Sequence, residues 1–239
     1  MKLLKIAAIS ALAFALVGNA NASRIAVVAP SGNTLVTATN AANLLSPGST
    51  VTSVTSAYMN AQTGATLRSS YDAVIFSWPG ATYSAGSWNV LKNFMSLGGG
   101  MIFDGAQSAT SVMAGSGVTF FGASTFSSGA ETVTNHAFAA ETTVQGDNHH
   151  LGGLTGSADW TQFLAKGTTN LGLFGTFGGG HAIVTSTDFF YHADTAGERN
   201  FAKEELSFVL SPSTVPEPTS IALLGLGLFG FAAARRRKQ

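Results

Sequence analysis

Apolar runs and spaced apolar positions alternate along the chain from Ser23 to Leu210, and their periods predict a succession of strands and helices. Arg24-Ile-Ala-Val-Val-Ala29 is a continuous β-branched run closed by Pro30-Ser-Gly-Asn33, the pattern of a strand buried on both faces of a parallel sheet. Leu35, Ala38, Ala42 and Leu45 then recur at helical spacing, and Ser46-Pro47-Gly48 ends that helix. Val51 to Thr55 alternates as a second strand, and Asp72-Ala-Val-Ile-Phe-Ser77 reads as a third, running into Trp78-Pro79-Gly80. Ser84 is placed to cap a helix whose apolar face is Val90, Leu91, Phe94 and Leu97. Gly98-Gly99-Gly100 stops it, and Met101-Ile-Phe103 is the next strand. Such alternation with short connections predicts an α/β domain with a parallel sheet and right-handed crossovers.

Residues 105 to 160 are rich in Gly, Ser and Thr. Val118-Thr-Phe-Phe121 is the short strand expected there, and the remainder reads as long loops. Asn170 to Phe174 and His181 to Thr185 form a hairpin-like pair through Gly178-Gly179-Gly180, and Glu198 to Leu210 predicts an amphipathic helix carrying Phe201, Leu206, Phe208 and Val209. The stretches YDAVIFSWPG, VLKNFMSLGGGMIFDGAQ, and GGGHAIVTSTDFF followed by ERNFAKEELSFVL together resemble the class I glutamine amidotransferase-like fold. That resemblance implies a three-layer flavodoxin-like domain over residues 23–211, a mostly parallel sheet with helices on both faces.

The two ends have a different character. Lys2 and Lys5 precede an apolar stretch from Ile6 to Val17, and small residues at Ala20 and Ala22 suit a signal peptidase pocket. Residues 1–22 therefore read as a secretory signal peptide cleaved after Ala22. At the other end, Pro216-Glu217-Pro218 closes a stiff linker over 212–218, because each proline fixes its own φ and restricts its predecessor. Residues 219–234 are uncharged and apolar, and residues 235–239 carry Arg235, Arg236, Arg237 and Lys238. Sixteen helical residues rise about 24 Å, somewhat short of the ~30 Å of a hydrocarbon core but tolerable through bilayer thinning and snorkelling arginines, and the basic end would stay cytoplasmic. A C-terminal transmembrane helix with the domain outside is the expectation.

Val-Pro-Glu-Pro, a Gly- and Leu-rich apolar segment and a terminal Arg cluster, in that order, resemble the PEP-CTERM sorting signal. The resemblance implies export across the inner membrane of a Gram-negative bacterium and transient anchoring through 219–234. Processing by the membrane protease-transpeptidase exosortase near Pro216–Pro218 would follow, leaving the domain at the cell surface or outside it. It also implies the company of extracellular polysaccharide. An ordinary C-terminal anchor is the alternative reading of the same residues.

Removing both ends changes the charge balance. Between Ser23 and Val215 the chain keeps six basic against eleven acidic residues, a net charge of −5 in place of the overall zero. So few cations argue against nucleic acid as a partner, since phosphate recognition rests on Lys and Arg. No cysteine is present, which removes disulfides, thiol nucleophiles and thiolate metal sites together.

Ligands of open α/β sheets gather beyond the carboxyl ends of the strands, which singles out Trp78, Asp104 and Gln107 as ligand candidates. Catalytic members of the resembling family carry a cysteine in a Gly-x-Cys-x-Gly turn after the fourth strand. Here that turn is Asp104-Gly-Ala-Gln-Ser108, so amidotransferase activity does not carry over, and noncatalytic relatives such as the ThuA-like group are the better analogy. Ser108 with a base such as His181 is the serine-hydrolase alternative, which needs a base in reach and an orienting acid. Asp147, His149 and His150 are the metal candidates, although adjacent histidines tend to diverge and a site needs three or four convergent ligands. No cofactor is expected. The expected role is a noncatalytic binding or structural module associated with exopolysaccharide, with a serine- or metal-dependent hydrolase as the alternative.

Overall fold

The computed structural model describes residues 22–211 apart from 30, 78–86, 106–109, 122–124, 138 and 151. The β-branched runs form β1 (Arg24–Val28), β3 (Ala73–Ser77), β4 (Gly100–Asp104) and β11 (Gly180–Thr185), with β2 (Thr50–Val54) at the rim. These five strands are parallel and ordered β2-β1-β3-β4-β11. Their side chains alternate between two apolar layers. Ile25, Val27, Ile75, Ile102 and Ile183 face one side, and Ala26, Val28, Val74, Phe76, Met101 and Phe103 face the other. Both sides are covered, so the runs carry no polar alternation.

The helices divide between the two layers. α1 (Gly32–Leu45) and α5 (Ala196–Leu210) cover the first through Ala38, Ala41, Ala42, Phe201, Ala202 and Leu206. α3 (Gly64–Ser70) and α4 (Ser87–Ser96) cover the second through Leu67, Leu91, Phe94 and Met95, and α2 (Ser56–Asn60) adds Met59. Side-chain caps fix where four of them begin. Ser31 and Thr55 accept from the Thr34 and Tyr58 amides, and Thr63 and Thr195 each close a capping box, with Thr66 and Glu198.

The expectation of long loops over 105–160 is corrected. A 3₁₀ turn (Thr110–Met113) leads into β5 (Val118–Phe121), β6 (Thr125–Val133), β7 (Thr143–His150), β8 (Gly153–Gly156) and β9 (Trp160–Lys166). β10 (Thr169–Phe177) pairs antiparallel with β11, and β9, β6 and β7 continue the ladder outward. The sheet is therefore nine-stranded and mixed, parallel in one half and antiparallel in the other. Its polar outer strands hold together by pairing with neighbours far apart in sequence, for which a local apolar period gives no signal. β5 and β8 make a separate two-stranded ribbon, and Phe120 and Leu154 bring it onto the second apolar layer. Trp88 and Trp160 lie in that layer as core residues, 5.9 Å apart, with Phe177 against both rings.

Outside the described residues lie the signal peptide up to residue 21, Ser84 as a helix cap, the linker 212–218, the apolar segment 219–234 and the basic end. Among the described residues no helix is long and apolar enough to cross a membrane.

The amino-terminal edge of the parallel strands is tied by charge and by glycine. Asp72 accepts from the Arg24 amide (2.8 Å), Arg24 Nη2 (3.0 Å) and Arg68 Nη1 (2.6 Å), joining β1, α3 and β3. Burial alone would raise this carboxyl, but the Arg24 and Arg68 hydrogen bonds outweigh it and hold Asp72 below its ordinary value. The two glycine triplets meet here. A Cβ on Gly180 would run into the Gly99 carbonyl oxygen, and one on Gly100 into the carbonyl of Val209. Both obstacles are backbone and cannot swing aside. Gly180→Ala is expected to destabilise the fold by about 2 kcal/mol through overpacking, read as a lower urea midpoint. An unchanged midpoint would mean that the two triplets do not meet this closely.

Candidate functional site

At the carboxyl edge of the same strands, small polar side chains line up on one acid. Asp104 ends β4, and its Oδ2 accepts from Ser77 Oγ at the end of β3 (2.9 Å) and from the Phe190 amide beyond β11 (2.9 Å). Thr34 Oγ1 in α1 reaches Ser77 Oγ (3.4 Å) and lies 3.0 Å from Ser31 Oγ, so the relay extends to the turn after β1. Ala29, in that turn, holds a left-handed φ of 46°, a conformation that costs a non-glycine residue about 1–2 kcal/mol. Gly105 also has positive φ (52°), and a Cβ there would meet the Asp188 amide nitrogen at 2.7 Å. Residues at or just beyond the ends of four strands, β1, β3, β4 and β11, thus converge within hydrogen-bonding distance.

The site is closed. Thr34, Ser77, Asp104, Thr185, Ser186, Thr187 and Asp188 are all buried. Further acids lie with them: Glu131 on β6 and Glu198 and Glu205 on α5 each have no exposed surface. Glu131 takes hydrogen bonds from Thr187 Oγ1 at 3.2 Å to each oxygen. Glu198 is held by its capping box through the Thr195 amide (2.7 Å). Among the described residues neither oxygen of Glu205 has a hydrogen-bond partner, and Asp104 Oδ1 has none either.

For three of these carboxyls burial favours the protonated form. Burial pushes Asp104 up to about 7 against the hydrogen bonds from Ser77 and Phe190. Burial likewise raises Glu131 to about 8, with Thr187 and Lys166 opposing. Glu205 is raised well above the ordinary carboxyl range, first by burial and then by the charge of Asp104. Chemically, the edge can hold loops together and store protons.

The structure separates several residues that the sequence grouped. His181 begins β11 at the opposite edge, and the register sets Thr185, four residues on, beside Asp104. Its Nδ1 lies 3.0 Å from Thr176 Oγ1, and its ring lies against Phe208, centroids 4.5 Å apart and planes tilted by 32°. Partial burial lowers its pKa. Trp78, Gln107 and Ser108 lie outside the described residues, as do the sorting residues Ala20, Pro216, Glu217, Pro218, Arg235, Arg236 and Arg237. Ala22 begins the described chain. Asp147, His149 and His150 belong to β7 and not to a loop, and their side chains are outside the described set. Among the described residues no group of three or more acids and histidines is placed to hold a metal ion.

Sequence reasoning passed over Glu198 and Glu205, although a signal was present. They stand seven residues apart on the stripe that also carries Phe201, Ala202 and Leu206, so the helical period buries them.

The fold is that of a mixed-sheet α/β domain, and comparisons with solved structures agree. A cytoplasmic protein from Salmonella typhimurium LT2, STM1381, superposes with a TM-score of 0.54 at 11% identity, covering 78% of this chain and 98% of that one. A GMP synthase subunit from Thermoplasma acidophilum gives 0.52 at 13% identity, covering 77% and 93%. A ThuA-like protein from Parabacteroides merdae gives 0.51 at 8% identity, covering 80% and 91%. At such identities the likeness is one of fold. No curated protein matches the chain in sequence. Residues 214–238 match the PEP-CTERM protein-sorting motif, which implies export and sorting through exosortase.

The raised carboxyls set a direction for pH dependence. In the unfolded chain they ionise near pH 4, whereas in the folded chain Asp104 and Glu131 hold their protons to about 7 and 8. Their contribution to stability is full below about pH 4 and is lost as pH rises through those folded values, at about 1.4 kcal/mol per pH unit for each group. Thermal melts should therefore show a lower Tm at pH 8.5 than at pH 5.5, and Glu205→Gln should flatten that slope. A Tm that rises across this window would show that these carboxyls are solvated.

Proposed function

We propose that the chain is an exported, noncatalytic binding module of the cell surface or extracellular matrix, sorted by its tail and associated with exopolysaccharide. The observation that carries this reading is the match of residues 214–238 to the PEP-CTERM motif. The sequence at the other end supports it, because residues 1–22 have the charged, apolar and small-residue order of a signal peptide. In this reading the tail is a transient anchor during export and exosortase then acts near Pro216–Pro218.

The chemistry of the carboxyl edge supports a noncatalytic role. The chain has no cysteine for the family's nucleophile. The acid that opens the corresponding turn, Asp104, is buried and engaged by Ser77 and the Phe190 amide. An amidotransferase-like ancestry for the domain is consistent with its likeness in fold to the Thermoplasma and Parabacteroides structures.

Two measurements test the reading. Intact mass of the protein purified from its native host should give a C-terminus between Val215 and Pro218, or added mass there; a chain ending at Gln239 would overturn the processing step. Native gels containing the host's own polysaccharide should retard the mature protein relative to a polysaccharide-free gel, and equal mobility in both would remove exopolysaccharide as the partner.

A further inference from the structure

The mature domain has six basic residues, and they are unevenly used. Arg24 and Arg68 pair with Asp72 at the amino edge, and Lys166 acts on Glu131. Arg199 and Lys203, one turn apart on α5, both line a groove of about 450 Å³ between α5 and α1. The facing wall comes from α1: Val36, Asn40 and Leu44. Val36 and Leu44 are 60% and 75% exposed, among the few large apolar side chains left to solvent in the described residues. The groove thus combines two cations, amide groups and an apolar rim on an otherwise acidic domain.

Both cations are held in position. Arg199 Nη1 donates to the carbonyls of Ala193 (3.1 Å) and Asp194 (2.7 Å), which fixes the guanidinium at the rim. Lys203 Nζ donates to Asn200 Oδ1 at 2.5 Å, and Asn200 in turn donates to Glu141. The neighbouring acids Glu141 and Glu204 form no part of the lining. They bond to each other, and burial together with Glu141 pushes Glu204 up to about 7. A fixed guanidinium beside an ammonium suits a carboxylate, and exposed apolar side chains suit the C–H face of a sugar ring.

We propose that the α1–α5 groove is the polysaccharide-binding site, and that its ligand is an acidic polysaccharide bearing carboxylates, such as a uronate polymer. This inference rests on the exopolysaccharide reading above and assigns it a place and a charge. The domain's formal charge is −5 and it stays negative when Asp104, Glu131 and Glu205 hold their protons, so binding of such a polymer has to concentrate where cations cluster. Affinity is expected to fall with salt, since the rim is exposed and screened.

The test is affinity electrophoresis of the mature protein through polygalacturonate and through neutral dextran. Retardation is expected in polygalacturonate alone, reduced at least tenfold in apparent affinity by Arg199→Gln combined with Lys203→Glu. Lys92→Glu alters net charge by the same amount as Lys203→Glu alone, at an exposed position away from the groove, and should leave retardation intact. Because Arg199 also bonds backbone carbonyls, Lys203→Glu alone is tested beside the pair, with thermal melts to confirm folding. Retardation by the host's polysaccharide that survives in the folded double variant would overturn the groove while leaving the exopolysaccharide reading in place. Equal loss in Lys92→Glu, or equal retardation in dextran, would overturn the assignment too. No retardation in either polymer or in the host's polysaccharide would overturn both readings.

Discussion

The carboxyl edge of the sheet closes around Asp104, and the rest of the parallel half is arranged to suit it. A carboxyl at the end of the central β4 needs partners, because burying a polar group without them costs several kcal/mol. Ser77 supplies one from β3 and the Phe190 amide supplies another from the segment after β11. Those two bonds hold three neighbouring strands in line. They also fix the start of the path that leads through the Thr195 cap into α5. Among the described residues, the chain's own hydroxyls and amides engage this acid at the edge where α/β domains gather their ligands.

That closure has an electrostatic consequence. Glu131, Glu198 and Glu205 share the buried region with Asp104 and Asp188. A cluster of this kind is tolerated only by taking up protons or by pairing, since burial disfavours each charge and every neighbouring acid adds to the effect. Hydrogen bonds from Thr187 and the capping box satisfy some of the oxygens, and protons answer for others.

Closing the edge shifts attention to the flank. The α1–α5 groove is open, carries cations that the sheet edge lacks, and belongs to the layer opposite α3 and α4. The sorting motif follows α5 directly in the chain, at 214–238, so the helix that supplies the groove's cations also leads into the processing region.

Much of the parallel half was legible in the sequence. Runs such as Ile25–Val28 and Ala73–Phe76 are buried on both faces, so burial and period coincide within a few residues. The hairpin through Gly178–Gly180 was legible for the same reason. The antiparallel half was not: β6 and β7 are polar and rich in Gly, Ser and Thr, and only their pairing marks them as strands. At the edge, Asp104 was singled out by its place at a strand end, but whether it would face a ligand or its own chain depended on Ser77 and Phe190, 27 and 86 residues away. The sequence by itself determined the strand–helix alternation of the parallel half, the sorting motif at 214–238 and the absence of thiol chemistry, because each is written in the residues themselves. The tertiary structure alone decided the mixed sheet, the buried acids and the cationic groove, because each arises from residues far apart in the chain that only packing brings together.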